Sequence, residues 1–411
     1  MSVDRATLAR AWLDARWTQT ALGSRADLER RQARLWRRMS STIRRTPALA
    51  HLAGRPLAKF PLVTPQAIRA DFARWNTLGL TLAEAEAGAE ANERGAAGEV
   101  RPGVAVGYST GSTGRRGLFV STSQERGAYL GHALARLLPT RMLLGPLRIA
   151  LCLRADNRLY SDVEQAGRVR FRFFGLEPDR AALEAFDPHV LIGASHVLAD
   201  LARAGSAVRP ERLFYGAEAM GERERVWIAA KLGSRPDPIY QATEGFLGCA
   251  CRRGTLHLNE DVLAVELAST PAPGCFQPIV TDLRRTSQPM VRVLLDDLVE
   301  PLEAPCPCGS PRRAVRPLAG RVQDLWRWDA TVITPREVTE AVEAAVPHGA
   351  HWLAKASLGG VRLEADAENA EAAGGALKGL LRARGVDVPV TTEPLTTPDW
   401  PKRRRVRWRD G

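Results

Sequence analysis

Between residues 107 and 119 the chain reads GYSTGSTGRRGLF, small hydroxyl residues and glycines followed by two adjacent arginines. Glycine lets backbone N–H groups approach an anion closely, here at Gly111 and Gly114. Ser109, Thr110, Ser112 and Thr113 add hydroxyl donors, and Arg115 with Arg116 supplies fixed positive charge. Such a loop suits the cradling of phosphates. Further features follow it in order. Gly216, Ala217 and Glu218 come directly after a predicted strand, where exposed backbone can face a flat base. YQATEGF offers Tyr240 as a stacking ring, Thr243 as a phosphate donor and Glu244 as a hard oxygen ligand for magnesium. MVRVLLDDL supplies Asp297, whose carboxylate can accept from ribose hydroxyls, and GRVQDLW supplies Arg321 and Asp324.

The cysteines suggest a second chemistry. CRRGTLH carries Cys251 and His257, and PCPCGS carries Cys306 and Cys308, so three thiolates and one imidazole can form a closed tetrahedral set. Cys152, inside the apolar run RIALCL, and Cys275 read as core residues.

The elements that must position these residues alternate in type. From about 104 to 300, short apolar runs such as VAVGY, RIALCL, HVLIGA and RLFYGAE alternate with helical stretches such as ERGAYLGHALARLLP, an α/β pattern. HLNEDVLAVEL, FQPIVTDL and MVRVLLDDLV read instead as strands joined by turns, predicting an antiparallel portion beside the α/β sheet. The first hundred residues read as helical, with Thr64 and Pro65 as cap and first-turn proline. After Arg321 come a helix at TPREVTEAVEAAV, a hairpin turning at Gly359 and Gly360, a second helix and a terminal basic strand. A chain of 411 residues exceeds one ordinary core. The expected organisation is a large domain of mixed α/β layers over 1–320 and a small, mobile α+β domain over 321–411.

Net charge is +12, mostly arginine. In ERRQARLWRRMSSTIRR, read as one helix, Leu35, Met39 and Ile43 form an apolar row and the arginines are expected on solvated faces. KRRRVRWRD reads as a frayed basic tail, with Lys402 set apart. The amino-terminal MSVDRATLARAWLDARW lacks the apolar core and cleavage site of a secretory signal, and no apolar run is long enough to span a membrane. The expectation is therefore a cytoplasmic protein without a membrane partner.

Taken in order, these motifs resemble the adenylate-forming superfamily of acyl-coenzyme A synthetases, adenylation domains and luciferases, and more closely its phenylacetate:coenzyme A ligase branch. The resemblance covers nearly the whole chain. It implies that Ser109 to Gly114 with Arg115 or Arg116 hold the ATP phosphates, in place of a loop ending in lysine. It also implies that Tyr240, Thr243 and Glu244 contact adenylate, phosphate and magnesium respectively. It places the ribose-binding aspartate on Asp297, flanked by Arg292 and Leu298, and the family's Gly-Arg and hinge aspartate on Gly320, Arg321 and Asp324. The mobile catalytic lysine falls on Lys402. A similar Cys, Leu-His and Cys-x-Cys-Gly pattern in the branch selects Cys251 over Cys249 and implies a structural zinc.

The function these expectations describe is activation of a carboxylic acid by Mg-ATP to an acyl-adenylate, then transfer to coenzyme A. Two alternatives stay open. One is an adenylating enzyme that uses a carrier-protein thiol or an amine as acceptor. The other, from a different class, is a zinc-containing nucleic-acid-binding protein, suggested by the +12 charge and the terminal KRRRVRWR; against it, aromatics are only 6% of the chain and no basic stripe interleaves with them.

Overall fold

The computed structural model describes residues 3–94, 99–108, 117–153, 168–216, 219–317, 320–395 and 404–409. The chain begins with helices whose starts are written locally. Asp4 caps α1 (Arg5–Ala21) by accepting from Thr7 N at 2.6 Å. Ser24 and Asp27 form a capping box on α2 (Arg25–Arg38), and Thr64 caps α4 (Pro65–Ala70) with proline in its first turn. The predicted single helix through residues 29–45 breaks at Met39, where α2 ends and α3 (Ser40–Arg45) begins. Leu35, Met39 and Ile43 remain buried across the break. The arginines of this stretch are not all solvated: Arg31 is 5% exposed, donating to Asp14 Oδ2 and to the Asp261 carbonyl, each at 2.6 Å. Sequence spacing could not show a carboxylate arriving from α1.

After α5 (Leu82–Glu93), β1 (Glu99–Arg101), β2 (Val104–Tyr108) and β3 (Leu118–Thr122) form an antiparallel sheet. Then α6 (Ser123–Leu137) packs along α1. The α/β portion follows as β4 (Leu147–Cys152), β5 (Val169–Phe173), α7 (Arg180–Phe186), β6 (Val190–Ala194), α8 (Ser195–Arg203), β7 (Arg212–Gly216), α9 (Glu222–Leu232) and β8 (Pro236–Ala242). Next come β9 (Gly245–Ala250), β10 (Leu256–Leu258), β11 (Leu263–Ser269), β12 (Phe276–Asp282), β13 (Val293–Leu294) and β14 (Ala314–Val315). Among the described residues the main sheet has the order β14-β10-β9-β8-β7-β6-β4-β5. It is parallel from β5 to β8 and antiparallel from β8 to β14. The chain leaves β4 for β5 on one side and returns to β6 on the other, a reversal that opens a crevice beyond the strand ends. β11, β12 and β13 form the expected antiparallel sheet beside it.

A separate core follows, gathering Trp326, Ile333, Val338, Val342, Trp352, Leu363 and Leu377. Its elements are β15 (Trp326–Trp328), β16 (Thr331–Ile333), α10 (Pro335–Ala345), β17 (Trp352–Ser357), β18 (Gly360–Ala365), α11 (Ala370–Ala383), β19 (Val390–Pro394) and β20 (Val406–Trp408). Its four-stranded sheet has the order β19-β18-β17-β20. The fold is thus a large mixed α/β unit followed by a small α+β unit. Among the described residues no helix is long and apolar enough to cross a membrane.

Arg136 and Asp261 form an ion pair with both side chains 1% exposed, and Thr18 Oγ1 donates to the same carboxylate at 3.0 Å. Because Arg136 would be left charged and unpaired, Asp261→Asn is expected to lower the unfolding free energy by about 3–5 kcal/mol, read from urea titrations at neutral pH.

Candidate active site

A cavity of about 1200 Å³ lies beyond the ends of the parallel strands. Gly216 reaches it from the end of β7, and Thr243 with Glu244 from the turn between β8 and β9. Asp297, Arg321 and Asp324 reach it from the segments after β13 and β14. Tyr240 lies in its wall. Residues far apart in sequence and singled out by type therefore converge on one volume. Ser109 to Gly114, Arg115, Arg116, Ala217, Glu218 and Lys402 lie outside the described residues. Tyr108 and Gly117, which flank the hydroxyl-rich loop, line this same cavity.

The Thr243–Glu244 turn is held tightly. Arg285 Nη1 donates to the Thr243 carbonyl at 2.7 Å, and its Nη2 donates to the Val120 carbonyl at 3.2 Å and to Gln288 Oε1 at 2.9 Å. Gly245 follows at φ 151°, where a Cβ would sit 3.3 Å from Asp282 Oδ2, so the turn needs glycine at this position. Glu244 is 6% exposed and has no ion-pair contact among the described residues. Burial pushes its carboxyl up to about 7; Asp297 adds to the rise, while its own backbone N–H, Arg285 and Arg321 oppose it. A buried carboxyl that faces a cavity and touches no cation among the described residues fits a hard divalent cation.

Beside it, the Tyr240 hydroxyl donates to Asp297 Oδ2 at 2.8 Å, and Arg321 Nε stands 3.8 Å from Asp297 Oδ1. Asp297 and Arg321 also pair through an isolated antiparallel bridge. Tyr240 is 3% exposed, and burial with the Asp297 charge holds its phenol well above the ordinary range, so it remains a donor. Its visible work is to orient Asp297.

At the junction Asp324 is 2% exposed and accepts from Arg404 Nε at 2.6 Å, with Arg404 Nη2 on its other oxygen. Trp326 Nε1 donates to the Arg407 carbonyl at 2.9 Å, and β20 runs parallel to β17. The tail expected to fray is thus ordered over residues 404–409. Two of its arginines, Arg404 and Arg405, pair with acids that arrive from distant positions in the chain.

Arg285, Arg404 and Arg405 are cavity residues that sequence reasoning passed over. The only local signal for Arg285 was a pair of arginines between two strand-like runs. Away from the polar groups the cavity is walled by Leu134, Ile149, Phe171, Phe173 and Ile192, between α6 and the sheet. Tyr129 of α6 donates to Gln241 Oε1 at 2.8 Å. His132 is 5% exposed. Burial and the neighbouring Arg284, which donates to its Nε2, hold it well below the ordinary histidine range and therefore neutral.

Cys251, His257, Cys306 and Cys308 form a separate cluster whose ligand atoms lie within 4.8 Å of one another. The Cys251 and Cys306 sulfurs are 3.9 Å apart, and Cys308 Sγ is 3.4 Å from His257 Nε2. A tetrahedral metal with bonds of about 2.3 Å to sulfur separates two thiolates by about 3.8 Å. His257 Nδ1 donates to the Arg312 carbonyl at 2.9 Å, which leaves the Nε2 lone pair facing the sulfurs. The donor set therefore fits a closed tetrahedral site. Cys249 stands apart, 3.7 Å from Asn259 Oδ1.

No protein-family model matches the chain, and no curated protein matches it. Solved structures do. A 2-hydroxyisobutyryl-CoA ligase in its postadenylation state, in complex with R3-HIB-AMP, aligns at a TM-score of 0.60 and 16% identity, over 99% of this chain and 89% of that one. The same ligase with 2-HIB-AMP and CoA in its thioesterification state aligns at 0.50 over the same shares. An acyl acid amido synthetase in complex with 2,4-DB aligns at 0.55 and 12% identity, over 95% of this chain and 90% of that one. The chain has the fold of the adenylate-forming ligases.

A carboxyl moved from its ordinary 4.5 to about 7 disfavours the folded state by about 3 kcal/mol once charged. This cost is absent below about pH 4.5, where the group is protonated folded or unfolded, and complete above about 7. Glu244→Gln is therefore expected to match the parent in thermal stability near pH 4 and to exceed it near pH 8, as read by melting curves without added metal.

Proposed function

We propose that this chain activates a carboxylic acid with ATP, releasing pyrophosphate and forming an acyl-adenylate, and then transfers the acyl group to the thiol of coenzyme A. The observation that carries this reading is the convergence on one cavity of the Thr243–Glu244 turn and the Tyr240–Asp297–Arg321 group, with the flanks of the hydroxyl-rich loop in the same wall. In the first half a carboxylate oxygen attacks the α-phosphorus, the bond from that phosphorus to pyrophosphate breaks, and pyrophosphate leaves with the bonding electrons. In the second a thiolate attacks the acyl carbon and AMP departs.

Both first-half reactants are anions, so catalysis consists of alignment and of charge placed where it builds. Asp297, turned by Tyr240 and Arg321, would accept from the ribose hydroxyls, and Gly216 would leave backbone open to the base. Thr243 and the hydroxyl-rich loop would donate to phosphate oxygens, and Lys402 would bring a positive charge to the α-phosphate. Magnesium, when bound, supplies charge neutralisation on the triphosphate; Glu244 would hold it. Cys251, His257, Cys306 and Cys308 would hold a zinc whose four protein ligands leave no position for substrate. The apolar wall of α6 and the sheet would receive the body of the acid. The higher likeness to a postadenylation pose than to a thioesterification pose supports reading the present arrangement as that of the first half.

The amine or carrier-protein alternative shares this first half, and the likeness to an amido synthetase keeps an amine in view. Mass spectrometry of products with coenzyme A and with amines separates the two. Carboxylate-dependent ATP–pyrophosphate exchange over aryl and aliphatic acids is expected for at least one acid; no exchange with any would sink the reading. Lys402→Ala is expected to cut exchange about 100-fold while thioester formation from supplied acyl-adenylate continues. For the metal, elemental analysis of protein purified without chelators is expected to give about one zinc per chain, and well under one after Cys306→Ser.

A further inference from the structure

Arg405 stands just before the final strand, and its guanidinium lies between carboxylates from both units of the fold. Glu343 of α10, in the small unit, is 2.7 Å away, and Glu224 of α9, in the large unit, is 3.3 Å away. All three side chains are withdrawn from water, Arg405 and Glu343 to 12% exposure and Glu224 to 5%. The guanidinium also lies 5.4 Å over the Trp352 ring, so its own unit grips it from two sides. The surrounding contacts join the same surfaces. Arg223 Nη1 donates to the Glu343 carbonyl at 2.7 Å, Arg203 donates to the Gly349 carbonyl, and Trp227 stacks on His348 at 5.7 Å. At Gly221 a Cβ would fall 2.2 Å from Glu343 Oε2, so a side chain at that position would have to displace this carboxylate.

From this geometry we propose that Glu224 is a positioning residue: its ion pair with Arg405 holds the small unit in the present docked pose, and Glu343 competes with it for the same guanidinium. The pose itself is independent of the reading above; its kinetic consequence rests on it. Two carboxylates facing one guanidinium leave an excess negative charge. Burial pushes the Glu343 carboxyl up to about 7, with Arg405 opposing and Glu224 adding to the rise. Arg223 of α9 is the other cation facing it, with His348 and Arg203 at the border of the contact. With Glu343 protonated, Arg405 and Glu224 form a balanced pair across the units. With Glu343 charged, Arg405 is neutralised within its own unit and Glu224 is left in excess. Because the docked group has the raised value, the extra docking stability is complete below about pH 4.5 and is lost as the pH rises through about 7.

The test is small-angle scattering of the full chain without ligands, beside the two half-reactions. At pH 6 Glu224→Gln should shift the docking equilibrium at least about tenfold toward an expanded form. It should lower pyrophosphate exchange to a similar extent while thioester formation from supplied acyl-adenylate is retained. The parent should expand between pH 5.5 and 8.5, and Glu343→Gln should stay compact throughout. Arg405→Gln, read in the same way, is the second variant should Glu224→Gln fold poorly. Scattering of Glu224→Gln at pH 6 that coincides with the parent overturns the proposal, as does a Glu343→Gln variant that expands with the parent. A parent without pyrophosphate exchange whose scattering still responds in this way would retire the proposed reaction and leave the latch standing.

Discussion

A carboxylate withdrawn from water, with no cation in contact among the described residues, is the constraint around which this molecule is arranged. Burying a charge is costly unless something compensates it. Among the described residues Glu244 is offset by guanidinium groups at a distance, Arg285 and Arg321, and by its own backbone. To keep it there, the turn must be immobile. Arg285 supplies that by binding the Thr243 carbonyl while holding on to β3 and Gln288, and Gly245 by accepting a backbone angle that other residues resist. The strain of the site is carried by its supports, which leaves the cavity face open to chemistry.

The same economy governs the rest of the interior charge. Asp297 is placed by a tyrosine that burial keeps protonated, Asp324 by a forked arginine just before the last strand, and Asp261 by Arg136 and Thr18. In each case an acid from one part of the chain meets a donor from another, so these pairs act as registration marks between elements as much as sources of stability. The small unit is registered by Arg404 at the junction and by Arg405 against α9.

This explains what could be read without coordinates. The helix start at Thr64–Pro65 was legible because a cap is a local contract between residues three apart. The antiparallel run after β10 was legible from its strand texture, and Tyr240, Glu244 and Asp297 from residue type in a fixed order. The roles of Arg31, Arg285, Arg404 and Arg405 were not, because an arginine in a polar stretch looks solvated until its acid is known. Those acids and carbonyls lie from 17 to 230 residues away. The break at Met39 was hidden for the opposite reason: the apolar row runs through it unchanged, since two short helices bury the same face as one.

The cysteine–histidine cluster closes a ring in the polypeptide. Cys251 and Cys306 stand 55 residues apart, and the stretch between them contains Asp282, Arg285 and Asp297, groups that shape the cavity from behind and beside it. A tetrahedral ion clasping both ends would act on the denatured chain like a covalent staple, removing loop freedom equivalent to about 4 kcal/mol. The clasp lies outside the cavity, yet it would shorten the conformational search of the segment that carries the cavity's charges, so loss of the ion would be felt first in how reliably that segment finds its place.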